Sequence, residues 1–108
     1  MQKLTPFQND CRAAVDAVLG EFGIETLYET HDAESISEGT RGAFLRTQFA
    51  RGEDAYDLFI YADEAALNIT RTWYAFERHN HPDPEDLVAA LVGFLRGCFR
   101  GENPVDRQ

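Results

Sequence analysis

Two places in this chain put a proline directly behind a side chain that can cap a helix and directly ahead of a long apolar stripe, Thr5-Pro6 and Asp83-Pro84. The first N–H groups of a helix have no acceptor within it, so proline is tolerated there, and the hydroxyl or carboxylate before it accepts from one of those orphan donors. Gln8, three residues after Thr5, makes a capping box, while Glu85 and Asp86 complement the positive end of the second helix. Behind each start the apolar residues recur at spacings of three and four. Phe7, Cys11, Ala14, Val15, Val18, Leu19 and Phe22 form the first stripe; Leu87, Val88, Leu91, Phe94, Leu95, Cys98 and Phe99 form the second. Gly23 is placed to end one helix and Gly97 or Gly101 the other. Gln8, Asp10, Arg12 and Asp16 are expected on the wet side. The chain is therefore bracketed by helices, and the segment between them decides the fold.

That segment reads at a period of two. Ile24–Thr30 mixes β-branched, aromatic and acidic residues and is expected to be a strand, followed by a long Ser-, Asp-, Glu- and Gly-rich connection from His31 to Arg41 with room for a short extension around Ile36. Ala43–Phe49 is expected as a second strand, Arg51-Gly52-Glu53-Asp54 as a hairpin loop, and Tyr56–Tyr61 as the clearest strand of all. After a turn at Ala62–Ala65, Ala66–Thr72 alternates apolar and polar residues. Trp73–Phe76 either prolongs it through a bulge or forms a fifth strand. The prolines at 82 and 84 end any ladder, because each lacks the N–H that a ladder uses.

Helix, strands, helix in 108 residues leaves room for one core. The fold class is α+β: an antiparallel sheet of four or five strands packed on one face by the N-terminal and C-terminal helices, with residues 1–101 as a single domain and 102–108 as a loose tail. Phe7, Val15, Phe22, Leu58, Ile60, Leu91 and Leu95 are expected in the core. The second sheet face is the informative one. Tyr56, Leu58 and Ile60 point one way along the third strand while Phe59 and Tyr61 point the other, so both faces are apolar where a wet face would be polar. Phe59, Tyr61 and Trp73 are thus a candidate interface for a homodimer or another partner.

Charge narrows the partner. Ten basic residues against nineteen acidic ones leave a net charge of −9, which opposes nucleic acid and anionic membrane surfaces and favours a cationic protein. Between Arg12 and Arg41 there is no Lys or Arg, yet Asp16, Glu21, Glu25, Glu29, Asp32, Glu34 and Glu38 lie there, seven acids without an opposing charge in sequence. Glu25, Tyr28, Glu29, Asp32, Glu34 and Glu38 are the candidate partner-binding residues, an acidic run edged by an aromatic. Arg46 and Arg71 with Phe44 and Trp73 have the makings of a base-stacking surface, but the surrounding carboxylates repel a phosphate backbone.

No segment carries a catalytic fingerprint. The thiols of Cys11 and Cys98 sit on apolar stripes and are expected to be buried and reduced, Ser35 and Ser37 lie in an acidic loop, and Gly39 and Gly42 lack the lysine and helix start of a phosphate cradle. His79-x-His81 with Asp83 and Glu85 has metal-ligand types, but His31 is the nearest third imidazole and stands far off in sequence. No cofactor or metal site is expected, and the chain is read as a non-enzyme. No apolar run is long enough to span a bilayer, and the segment from Met1 lacks a secretory leader's apolar stretch, so a cytoplasmic protein is expected. In element order, size and acidity the chain resembles small bacterial immunity proteins that neutralise a toxin, and small acidic chaperones of secreted effectors, although the latter usually place a helix within the sheet run. The expected function is a non-enzymatic acidic protein-binding module, an immunity protein masking a basic toxin domain being its concrete form. An effector chaperone or structural homodimer using the apolar sheet face stands second, and a small metal-dependent enzyme third.

Overall fold

Both helices start where the capping pattern places them, in a computed structural model that describes residues 4–32 and 43–101. Helix α1 covers Pro6–Glu21 and helix α2 covers Pro84–Phe99; between them run β1 (Tyr28–Asp32), β2 (Ala43–Arg51), β3 (Asp54–Ile60), β4 (Ala65–Ile69) and β5 (Thr72–Phe76). The Thr5 side chain accepts from the Gln8 N–H and the Gln8 side chain accepts in return from the Thr5 N–H, so the capping box is complete; Asp83 caps α2 through the Glu85 N–H. The extension around Ile36 and the tail after Gly101 lie outside the described residues.

The strands form one antiparallel sheet in the order β1-β2-β3-β4-β5, each paired with its sequence neighbour. Alternation along every strand turns one set of side chains to the helices: Leu45, Thr47 and Phe49; Tyr56, Leu58 and Ile60; Ala65, Leu67 and Ile69; then Phe76. These meet Phe7, Cys11, Val15, Val18 and Leu19 of α1 and Leu87, Leu91, Leu95 and Phe99 of α2 in one buried cluster. The sheet is thereby covered on one face by two helices, the α+β arrangement read from the sequence.

Several expectations shift. Gln8 is buried rather than wet: its amide nitrogen donates to the carbonyl oxygens of Ala43 at 2.7 Å and Ile60 at 3.3 Å, tying the start of α1 to the ends of β2 and β3. Phe22 is half-buried at the rim of the core, edge-on to Phe99 with centroids 5.1 Å apart and covered by the Arg51 guanidinium at 4.8 Å. The first strand begins at Tyr28, not Ile24. The Ile24 N–H bonds back to Leu19 O across Gly23, whose φ is +69°, so these residues still finish the helix, and Thr26 reaches the hydroxyl of Thr47 by its side chain rather than by a ladder. The run Ala66–Thr72 is also not one strand: it breaks at Thr70-Arg71, and Trp73 to Phe76 belong to the separate β5.

That break carries no glycine or asparagine. Thr70 and Arg71 have φ of 45° and 85°, the left-handed values that a two-residue hairpin between right-twisted strands demands and that a side chain disfavours. The turn is held from outside: Thr70 N–H donates to Ala55 O at 2.9 Å, its hydroxyl reaches Asp54 and the Ala55 N–H, and the Arg71 N–H reaches the Asn68 side chain.

Candidate functional site

On the face opposite the helices the register sets five rings in a continuous row. His31 of β1 pairs with Phe44 of β2, and their rings stack with centroids 5.2 Å apart. Phe44 meets Tyr61 at 5.6 Å and Phe59 at 6.2 Å, and Phe59 meets Trp73 of β5 at 5.7 Å. The last contact crosses β4, where Ala66 stands directly opposite Phe59, and a methyl group leaves the indole room to reach over. Phe44 is covered by its neighbours, Phe59 and Tyr61 are half-buried, and Trp73 is 60% exposed at the end of the row. The structure therefore gathers Phe59, Tyr61 and Trp73, and adds His31 and Phe44. Alternation along single strands signals Phe59 and Tyr61, whereas Phe44 and His31 join only through cross-strand register.

Polar groups share this face. The Arg46 guanidinium lies 5.0 Å from the Phe59 centroid and donates through Nε and a terminal nitrogen to the two Asp57 oxygens, at 2.9 and 2.8 Å. The hydrogen bond to Asp57 raises the Arg46 pKa above its ordinary value. Glu29 lies on the same face and accepts from the His31 ring at 3.1 Å once that ring presents a proton on Nε2. Burial, and then the charge of Asp57, push the Tyr61 hydroxyl up, so the ring stays neutral at physiological pH.

The acidic run is spread more widely than sequence order implies. Glu25 is exposed in the connection after α1, Glu29 lies on the ring-bearing face, Tyr28 occupies a position of β1 that alternates to the helix face, and Asp32 is the last residue of β1. Tyr28 is half-buried beneath the Arg12 guanidinium at 5.7 Å, and burial, then Asp16, push its hydroxyl far up; it does not edge a patch that includes Glu29. Glu34 and Glu38 lie outside the described residues. Glu21 is not unopposed, because Arg96 of α2 donates to both its oxygens, at 3.3 and 2.6 Å, and this bond holds its carboxyl below the ordinary range.

Other candidates do not converge. His79 is exposed beside Glu77, His81 is half-buried, and among the described residues no three His, Cys, Asp or Glu side chains stand where one ion would meet them. Cys11 is fully buried and Cys98, expected buried, is half-buried; both are free thiols, pushed by burial to about 12 and about 11. At pH 8 both are protonated, so a thiol reagent is expected to label Cys98 slowly and Cys11 more slowly still, with both reacting fast after denaturation. Mass spectrometry of timed samples checks that order. A cleft between the starts of the helices is lined by Phe7, Asp10, Pro84, Glu85 and Val88, with no thiol, hydroxyl or imidazole among these residues. Among the described residues no helix is long and apolar enough to cross a membrane. No protein-family model, no curated protein and no solved structure matches the chain.

Proposed function

We propose that the protein is a non-enzymatic protein-binding module that holds a basic partner against the face of its sheet opposite the helices. The observation that carries this reading is the row of rings from His31 to Trp73, which neither helix covers and which ends in an indole 60% exposed. Aromatic groups beside carboxylates suit guanidinium and ammonium side chains, because a ring face and a carboxylate attract the same cation. Arg46, stacked on Phe59 and forked onto Asp57, is an internal example of that chemistry. The net charge of −9 supplies long-range attraction, with Glu25, Glu29, Asp32, Glu34 and Glu38 contributing to the field. Masking of a basic protein, as an immunity protein masks its toxin, is the form of this function that fits a small acidic domain. The excess charge disfavours the alternative of a second copy seated face to face on the rings.

Trp73 is the single tryptophan, so its fluorescence reads this face directly. An arginine-rich peptide of about ten residues is expected to shield Trp73 from acrylamide, more at low salt than at high, while an acidic peptide of equal length does not. Phe59→Ala with Tyr61→Ala should weaken that binding about tenfold or more, as for central aromatic contacts elsewhere. Charge reversal at Glu25, Glu29 and Glu34 together should slow association more than reversal at Glu53 and Asp54. Shielding that is indifferent to salt and to peptide charge would overturn the proposal.

A further inference from the structure

Arg46 reaches past a nearer carboxylate to a farther one. In the register of the sheet Glu29 of β1 stands directly opposite Arg46, while Asp57 of β3 lies diagonally from it, two residues before Phe59. Side chains directly opposite on one face start about 5 Å apart and diagonal ones about 7–8 Å. The guanidinium nevertheless forks onto both Asp57 oxygens and lies over the Phe59 ring. Two charge-assisted bonds and a ring face together hold it there, and only a planar cation uses both at once. Glu29, its side chain 65% exposed, is bonded among the described residues to the His31 ring alone, through Oε1.

The seat made by Asp57 and Phe59 is bordered on its other side by an indole. Asp57 pairs with Asn68 of β4, and Asn68 pairs with Trp73 of β5, so one row across the sheet leads from the carboxylate to the tryptophan. Trp73 is 60% exposed and its ring lies 5.7 Å from that of Phe59. Indole is the strongest cation platform among side chains, yet among the described residues no guanidinium lies over this one.

From this arrangement we infer that Arg46 is a stand-in for an arginine of the partner: the incoming guanidinium arrives over Trp73, takes the seat on Asp57 and Phe59, and Arg46 crosses to Glu29. The exchange presupposes the basic partner proposed above and names the side chain by which it is recognised. Before it, two carboxylates share one guanidinium; after it, each has its own. Glu29 keeps Oε1 on His31 and offers Oε2 to Arg46, so no charged group of this face is left without a partner. Until an arginine comes, Arg46 covers Asp57 against cations that cannot compete with a fork. Lysine is such a cation, a point charge without a planar face or paired parallel donors. The device therefore confers selectivity for arginine over lysine at equal charge.

Titration of the full chain with two capped peptides of equal length and charge, one arginine-rich and one lysine-rich, tests this through the fluorescence of the single tryptophan. The arginine peptide is expected to bind about tenfold more tightly. Arg46→Met empties the seat and should raise affinity for the arginine peptide about tenfold, whereas Arg12→Met, which removes the same charge on α1 across the sheet, should change it about twofold or less. Arg46→Lys retains the charge, gives up the fork, and should also bind the arginine peptide more tightly than the native chain. Glu29→Gln should weaken binding about fivefold in the native chain and hardly at all in Arg46→Met, where no guanidinium has to move. Circular dichroism of each variant checks that the fold is kept. Equal binding of the two peptides would overturn the exchange, as would a gain from Arg46→Met no larger than that from Arg12→Met, or a Glu29→Gln effect of the same size in both chains. Those results leave a basic partner in place. Failure of both peptides to shield Trp73, in the native chain and in Arg46→Met alike, would overturn the partner and the exchange together.

Discussion

Leu91→Ala is expected to destabilise the fold by about 2–5 kcal/mol, a large share of the roughly 5–15 kcal/mol that holds a domain of this size. Leu91 has no exposed surface and stands mid-helix in α2 among Leu87, Leu95 and the sheet residues they cover. Its neighbours are fixed by two helices and a five-stranded sheet, so truncation leaves a cavity that the surroundings fill only in part. Urea unfolding should give an earlier midpoint at an unchanged slope. A loss below about half a kcal/mol, outside the range of packed-core truncations, would place α2 outside the core.

Gln8→Ala is expected to cost about 2–4 kcal/mol, more than an ordinary cap, because a single side chain serves both a helix end and the sheet. Its Oε1 accepts from the Thr5 N–H at 2.8 Å while its Nε2 donates to Ala43 O and Ile60 O. Gln8→Glu separates the two roles. The carboxylate keeps the cap acceptor and turns a negative oxygen toward two carbonyl oxygens, so its folded-state pKa is raised above the unfolded value of about 4.3. A group of that sign favours the fold while protonated and loses the benefit as pH rises. Gln8→Glu should therefore be least damaging near pH 4 and most damaging at neutral pH. A cost independent of pH would show that the amide nitrogen does not hold those carbonyls.

Helix starts were legible because a cap is a local device: Thr5, Pro6 and Gln8 meet within one turn, as do Asp83, Pro84 and Glu85, and nothing distant is needed to place them. The burial of Gln8 was not, since its two carbonyl partners lie 35 and 52 residues away. The β4–β5 turn was missed for a related reason. Thr70-Arg71 lacks the Asn-Gly chemistry of such turns and is imposed by bonds to Asp54, Ala55 and Asn68. For the ring-bearing face, alternation gave Phe59 and Tyr61, while His31 depended on a β1 register that the long connection after it leaves unspecified in sequence. The acidic run was legible as composition only, because sequence order says nothing of Arg96 approaching Glu21 from the far end of the chain.

An odd number of strands between two helices has an electrical result. Each strand of the meander reverses the chain, so five of them return α2 in the same direction as α1. Phe7 and Asp10 accordingly share a cleft with Pro84 and Val88 at one end, and Phe22 meets Phe99 at the other. Two aligned peptide dipoles then lie side by side and their poles repel instead of cancelling, each helix end behaving as about half a unit charge. Glu85 and Asp86 sit by the paired positive poles. At the negative poles Glu21 is misplaced for its own helix, and the arginines at 51, 96 and 100 gather there, Arg51 donating to Phe22 O and lying over both Phe22 and Phe99. A strongly acidic molecule thus spends three of its ten cations at one corner, where they neutralise a field that its own topology creates.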